Sequence, residues 1–217
     1  MLLLALGAGM LLLVPGSLPA VMAAAALGAV LSILVPMRGS AAETPHDRLV
    51  LQLRLAYSGE LAAGLAYRGH GRSVRSSEEK EQIQKIEEEE WHHRRLVGGL
   101  LETLGAHPSA LRETRARIVG STLGALCHVS GYFLPMYGAG RLESRNIVEY
   151  EDAARFAVAA GHPEFLPCLL QMAEVEWEHE AYFRGRAGKS PWVRVIPLWR
   201  APPPKETIQA GATAPES

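Results

Sequence analysis

Residues 83–104 read Ile83-Gln84-Lys85-Ile86-Glu87-Glu88-Glu89-Glu90-Trp91-His92-His93-Arg94-Arg95-Leu96-Val97-Gly98-Gly99-Leu100-Leu101-Glu102-Thr103-Leu104. Ile83, Ile86, Glu90, His93, Val97, Leu100 and Leu104 recur at steps of three and four, the spacing of one helical face. Glu90 and His93 therefore share a face that is otherwise apolar. A carboxylate and an imidazole aimed at an apolar interior cost several kcal/mol unless something compensates them, and a metal ion does so directly. Glu89 and His92 repeat the spacing one residue earlier. That register would turn Gln82, Lys85 and Gly99 to the core, which favours Glu90 with His93.

The same grammar recurs near the other end. Phe165, Leu169, Met172, Glu176, His179 and Phe183 form a second stripe with an embedded Glu-x-x-His. Two further helices each offer one inward acid. Glu60 lies in phase with Leu53, Tyr57, Gly64 and Tyr67, and Glu143 with Ile147, Tyr150, Ala154 and Ala157. Glu60 precedes Glu90 by 30 residues and Glu143 precedes Glu176 by 33, separations that suit antiparallel helices meeting at mid-length. One Glu from each of two helices and a Glu-x-x-His from each of the others is the ligand set of ferritin-like di-metal carboxylate bundles. Four carboxylates and two imidazoles, with no thiolate, suit two ions of iron or manganese.

Punctuation along the chain agrees with an all-α fold of four long helices. Thr44-Pro45-His46-Asp47 supplies an N-cap, a proline at the first helical position and an acid at the third, opening a helix to about Gly69. Ser76 with Glu79 reads as a capping box for the second helix, which continues to Gly105. A further helical stretch starts at His107-Pro108-Ser109. Its section Ile118–Gly140 is free of formal charge except at His128 and rich in small residues, an extra apolar stretch. Gly138 and Gly140 read as a break before a helix over Leu142–Ala160, and the last core helix opens at Pro163 and ends near Gly185. The expected domain spans 44–187, and residues 188–217, with Pro202-Pro203-Pro204, read as a disordered tail. His46, His70, His107, His128 and His162 have no partner at ligand spacing and read as surface or capping residues.

Ahead of this domain, Met1–Met37 carries no charged residue. Ala20–Pro36 is a transmembrane candidate for a hydrocarbon layer of about 30 Å. Arg38, Arg48 and Arg54 follow it, and the positive-inside bias puts the helical domain in the cytoplasm. A membrane anchor is the preferred reading, with a cleaved signal and a start near Met37 as alternatives. The charge balance, 22 Lys+Arg against 23 Asp+Glu, argues against a nucleic-acid partner. Two cysteines, Cys127 and Cys168, exclude a disulfide scaffold, a thiolate zinc site and a rubredoxin knuckle.

Three stretches carry a resemblance to the demethoxyubiquinone hydroxylases of quinone biosynthesis. They are Leu53-Arg54-Leu55-Ala56-Tyr57-Ser58-Gly59-Glu60, Glu90-Trp91-His92-His93-Arg94-Arg95, and Glu176-Trp177-Glu178-His179-Glu180. Glu143, followed seven residues later by Tyr150, resembles the family's third ligand and its nearby tyrosine. The resemblance spans about residues 47–185. It departs at Glu149 and Tyr57, where the family carries histidine. What the resemblance implies is a membrane-associated di-iron monooxygenase that uses reduced iron and O₂ to hydroxylate a quinone ring. Ile118–Gly140 would correspond to the membrane-facing helix that admits a lipid-tailed substrate, an alternative to a simple packed helix with close-approach glycines. Glu60, Glu90, His93, Glu143, Glu176 and His179 would hold two irons, with Tyr150 orienting a ligand or relaying an electron. Two other readings stay open: another ferritin-like oxidase or peroxidase, and a metal-free membrane-anchored bundle that binds a partner.

Overall fold

The structure, a computed structural model, describes residues 44–211. The segment 1–37, expected to be a membrane anchor, lies outside the described residues. Among the described residues no helix is long and apolar enough to cross a membrane, and there is no strand.

Helix α1 runs Pro45–Ser73 and α2 runs Ser77–Thr103. Helix α3 covers Ala110–Leu126, α4 covers Phe133–Ala159 and α5 covers Leu166–Gly188, followed by a short α6, Glu206–Gly211. The N-caps read from sequence form. Thr44 and Asp47 complete a capping box around Pro45. Ser76 Oγ accepts from the Glu79 amide at 3.4 Å, but the Glu79 carboxylate does not close a box and instead accepts from Tyr132 Oη at 2.6 Å.

Helices α1 and α2 form one antiparallel hairpin, α4 and α5 another, and α1 packs on α4. Helix α3 occupies the long connection that lets α2 and α4 run parallel, the one-crossover topology of ferritin-like bundles. It lies on α1 at backbone distance, because a Cβ on Gly120 would stand 2.4 Å from Ala62 O and one on Gly69 2.3 Å from Gly124 Cα. The close-approach reading of this stretch is therefore right for one face. The opposite face leaves Leu111 and Ile118 exposed at 61% and 62%, and Val129, in the connection after α3, is exposed at 61%.

Two expectations fail together. Gly138 and Gly140 do not break a helix, since α4 runs unbroken from Phe133. The interruption falls earlier, in the 127–132 connection, where Gly131 adopts φ +76°. Gly140 is instead a seat for Trp199, whose ring would lie 2.6 Å from a Cβ there. Trp199 comes from the segment expected to be a disordered tail. Through residue 209 that segment lies along the bundle: Trp199 Nε1 donates to Glu180 Oε1 at 2.7 Å, Trp177 Nε1 donates to Pro203 O at 2.9 Å, and Ile208 is buried in the core. The helical domain accordingly extends past the expected boundary at 187.

Apolar side chains gather in three clusters, one between α1 and α3 around Leu61, Ala62, Ala116 and Val119, and two along the bundle axis. Of these two, one contains Leu49, Leu53, Val97, Leu101, Ile147, Leu169 and Met172; the other contains Tyr67, Ile83, Ile86, Phe133, Met136 and Phe183. On every long helix the acid singled out from sequence lies between them. His70, expected at the surface, is buried and stacked on Phe183, and burial lowers its pKa to about 4.

Candidate metal centre

Each long helix delivers its polar residue from within an apolar stripe, so packing of the stripes brings the polar groups together at mid-length. Helix α1 places Glu60, α2 Glu90 and His93, α4 Glu143, and α5 Glu176 and His179. All six are buried, none more than 3% exposed. His92 is exposed and Glu89 half-buried, whereas Glu90 and His93 are both buried among the other donors. In the α2 stripe the fully buried leucine is Leu101, while Leu100 and Leu104 are half-buried.

The donors form two overlapping groups. Glu60, Glu90, His93 and Glu176 offer atoms that all lie within 4.8 Å of one another, and so do Glu90, Glu143, Glu176 and His179. Glu90 and Glu176 belong to both. The two groups are thus related by an approximate two-fold, each with its own terminal glutamate and histidine, sharing two carboxylates between them.

Donor chemistry and unpaired atoms make this a fit for metal. Glu60 Oε2, both oxygens of Glu90, Glu176 Oε2 and His179 Nδ1 are buried without a hydrogen-bond partner. His179 Nδ1 does approach Glu90 Oε1 to 3.2 Å, but without hydrogen-bond geometry. At about 1–3 kcal/mol for each buried unsatisfied group, these five atoms together cost about as much as the whole net stability of a domain. Divalent cations held by these residues would satisfy all five. Of the remaining contacts, His93 Nδ1 to Glu176 Oε1 at 3.0 Å joins two of the candidate ligands, and His179 Nε2 to Glu89 Oε2 at 2.9 Å orients the imidazole from outside the cluster.

Two tyrosines hold the terminal carboxylates, crosswise. Tyr67 Oη, on α1, donates to Glu143 Oε1 on α4, and Tyr150 Oη, on α4, donates to Glu60 Oε1 on α1. Asn146 Nδ2 donates to the other Glu143 oxygen at 2.8 Å. Tyr150, expected beside Glu143, extends its hydroxyl to Glu60 instead. Tyr67, which follows Glu60 by seven residues as Tyr150 follows Glu143, carries no distinguishing signal within its own helix. Glu89, a rival ligand by spacing, is the outer partner of His179, the kind of contact that fixes an imidazole's orientation toward a metal.

Electrostatics show what metal would replace. Burial, reinforced by the charges of Glu90 and Glu176, raises Glu60 well above the usual carboxylate range. Burial and the Glu176 charge do the same to Glu143. Burial would raise Glu176 too, but hydrogen bonds from His179 and His93 outweigh it and hold this carboxyl well below its ordinary value. Burial disfavours the His179 cation, yet Glu176, Glu89 and Glu90 together raise its pKa well above the ordinary imidazole value. Burial and Glu60 keep the Tyr150 phenol protonated. Without metal, then, burial and the crowding of carboxylates favour protons on Glu60, Glu143 and His179.

No curated protein matches the chain, and no solved structure does. One family does match. The span covers α1 to the early part of α4, with Glu60, Glu90, His93 and Glu143, and ends before Tyr150 and the second Glu-x-x-His. Residues 48–144 match the family described as ubiquinone biosynthesis protein COQ7, and over that span the resemblance to the demethoxyubiquinone hydroxylases, a ferritin-like di-iron family, is shown.

Proposed function

We propose that this protein is a membrane-associated di-iron carboxylate monooxygenase that hydroxylates a quinone-type ring. The observation that carries the reading is the six-residue cluster with five unpartnered buried donor atoms, arranged as two groups that share Glu90 and Glu176. The family match of residues 48–144 supports the substrate class. Glu60 and His93 would hold one iron, Glu143 and His179 the other, with manganese a competitor for the same oxygen-rich set.

Two reduced irons supply O₂ activation when bound. The balanced reaction inserts one oxygen atom into a ring C–H bond and releases the other as water, consuming two electrons and two protons from an external reductant. The chain's residues provide the setting. Tyr150 fixes one oxygen of Glu60 and leaves the other free for metal, while Tyr67 and Asn146 each hold one oxygen of Glu143. Glu89 fixes the Nε2 side of His179, directing Nδ1 inward. The apolar clusters above and below exclude water from the site.

Exposed Leu111 and Ile118 on α3, and Val129 in the connection that follows it, support contact with a membrane that stores a lipid-tailed substrate. With the 1–37 segment as an anchor, the bundle would face the cytoplasm. The test uses the full chain in detergent, loaded with ferrous iron, with a chemical reductant, isotopically labelled O₂ and a short-tailed methoxyquinone lacking one ring substituent. A product carrying one labelled oxygen is expected. Oxidation of the reductant with no labelled product, in a sample holding two irons per chain, would refute quinone hydroxylation.

A further inference from the structure

Helix α1 contains four glycines, and two have neighbours that account for them. A Cβ on Gly64 would meet the Trp91 ring at 2.7 Å and one on Gly69 the Gly124 backbone at 2.3 Å, whereas one on Gly71, in the last turn, would make only ordinary contact with Ile83 at 3.6 Å. Gly59 has nothing within 4 Å, is exposed and has no positive φ. A glycine inside a helix weakens it, and neither packing nor backbone geometry requires one here. Its position supplies the reason. Gly59 lines a small cavity of about 40 Å³ in the seam between α1 and α4, together with Leu142, Asn146 and Glu149 and, at its inner side, Glu60 and Tyr150. Glu60 is the terminal ligand candidate whose Oε2 is buried and unpartnered.

We infer that this seam is the entry port for the small reactant of the metal centre, a diatomic of the O₂ class, and that Gly59 is the residue that keeps it open. The size decides the class. A cavity of about 40 Å³ exceeds what one water needs and is far below the roughly 150 Å³ that holds an aromatic ring. A quinone ring does not fit this seam as it stands, so the seam suits the smaller reactant. The inference rests on the proposed di-metal function.

The test compares full chains in detergent, wild type against Gly59→Leu, each oxidised after iron loading. Azide is the probe, its association followed by stopped-flow visible absorption, with iron per chain measured on the same samples. A Leu side chain at 59 fills the mouth without touching a ligand. Gly59→Leu should keep two irons per chain and bind azide at least about tenfold more slowly. Leu142→Phe, on the opposite lip, should slow azide likewise and repeats the test if Gly59→Leu loses iron. A metal-free measurement is independent of loading: Gly59→Ala should raise the melting temperature by about 2–4 °C, and a lowered value would show a structural need for glycine and overturn the inference. Azide binding at the wild-type rate in an iron-loaded occluded variant overturns the port alone. A wild-type chain that takes up no iron overturns the di-metal reading, and the port with it.

Discussion

Glu90 is the residue where folding and function pull hardest in opposite directions. It is fully buried, and neither oxygen has a hydrogen-bond partner. Its charge also raises the pKa of Glu60. In the metal-free protein, replacing it with the similarly sized Met removes two orphaned acceptors at about 1–3 kcal/mol each. The loss on the other side is the attraction to His179 Nδ1 at 3.2 Å, and His179 keeps Glu89 at 2.9 Å and Glu176 at 3.6 Å. The net gain should be about 2–4 kcal/mol. For a domain of this size that raises the melting temperature by about 5–15 °C. Metal reverses the order. At free metal about a thousandfold above its dissociation constant, each occupied site adds about 4 kcal/mol to the wild type. Glu90→Met, having lost a carboxylate shared by both sites, should gain little. Thermal melts of the full chain, followed by circular dichroism with chelator and then with Mn(II), read both halves. A chelated Glu90→Met variant less stable than chelated wild type would refute the reasoning, because it would make Glu90 a satisfied structural carboxylate.

Stability of the metal-free protein should depend on pH in a definite direction. The raised pKa values of Glu60, Glu143 and His179 give stability that is present in acid and lost as pH rises through their folded values, while the lowered Glu176 gives stability lost as pH falls below about 4.5. Chelated protein should therefore melt highest in mildly acidic buffer and progressively lower towards pH 8, whereas metal affinity, which requires deprotonated ligands, should increase over the same range. Chelated melting temperatures that climb from pH 5.5 to 8 would contradict these assignments. Tyr67→Phe and Tyr150→Phe each remove one hydroxyl from a terminal carboxylate, and each should weaken metal binding about 10–100-fold by competition titration, with two metals still bound at saturation. Unchanged affinity in both would deny the tyrosines any positioning role. Gly140→Ala should cost about 1–3 kcal/mol by denaturant unfolding, because the new Cβ meets the Trp199 ring at 2.6 Å. In a Trp199→Ala background the same change should cost much less, and equal costs would show that the C-terminal segment does not hold Trp199 in that seat.

The bundle and the six ligand candidates were legible because both signals are local and periodic. Ile83, Ile86 and Val97 fix which face of α2 is inward, and Glu90 and His93 ride on that face whatever the rest of the chain does. Glu143 was legible for the same reason, through Ile147, Tyr150 and Ala154. What crosses between helices was not. That Tyr67 serves Glu143 and Tyr150 serves Glu60 depends on how α1 meets α4, and no spacing within one helix carries that information. Only the shared seven-residue offset hinted at it. Gly140 was misread because its reason lies in Trp199, 59 residues away. A proline-rich, polar composition says that a segment cannot build its own core, and it says nothing of a core lent by Trp177, Glu180 and Phe183.

Metal counted per chain tests the account most directly. Full-length wild type and His179→Ala, purified in detergent, loaded anaerobically with ferrous iron and freed of excess, would be analysed for iron and for helicity together. The account predicts two irons in the wild type and no more than one in His179→Ala, with helical content unchanged. Two irons retained in a folded His179→Ala chain, or none in a folded wild type, would contradict it.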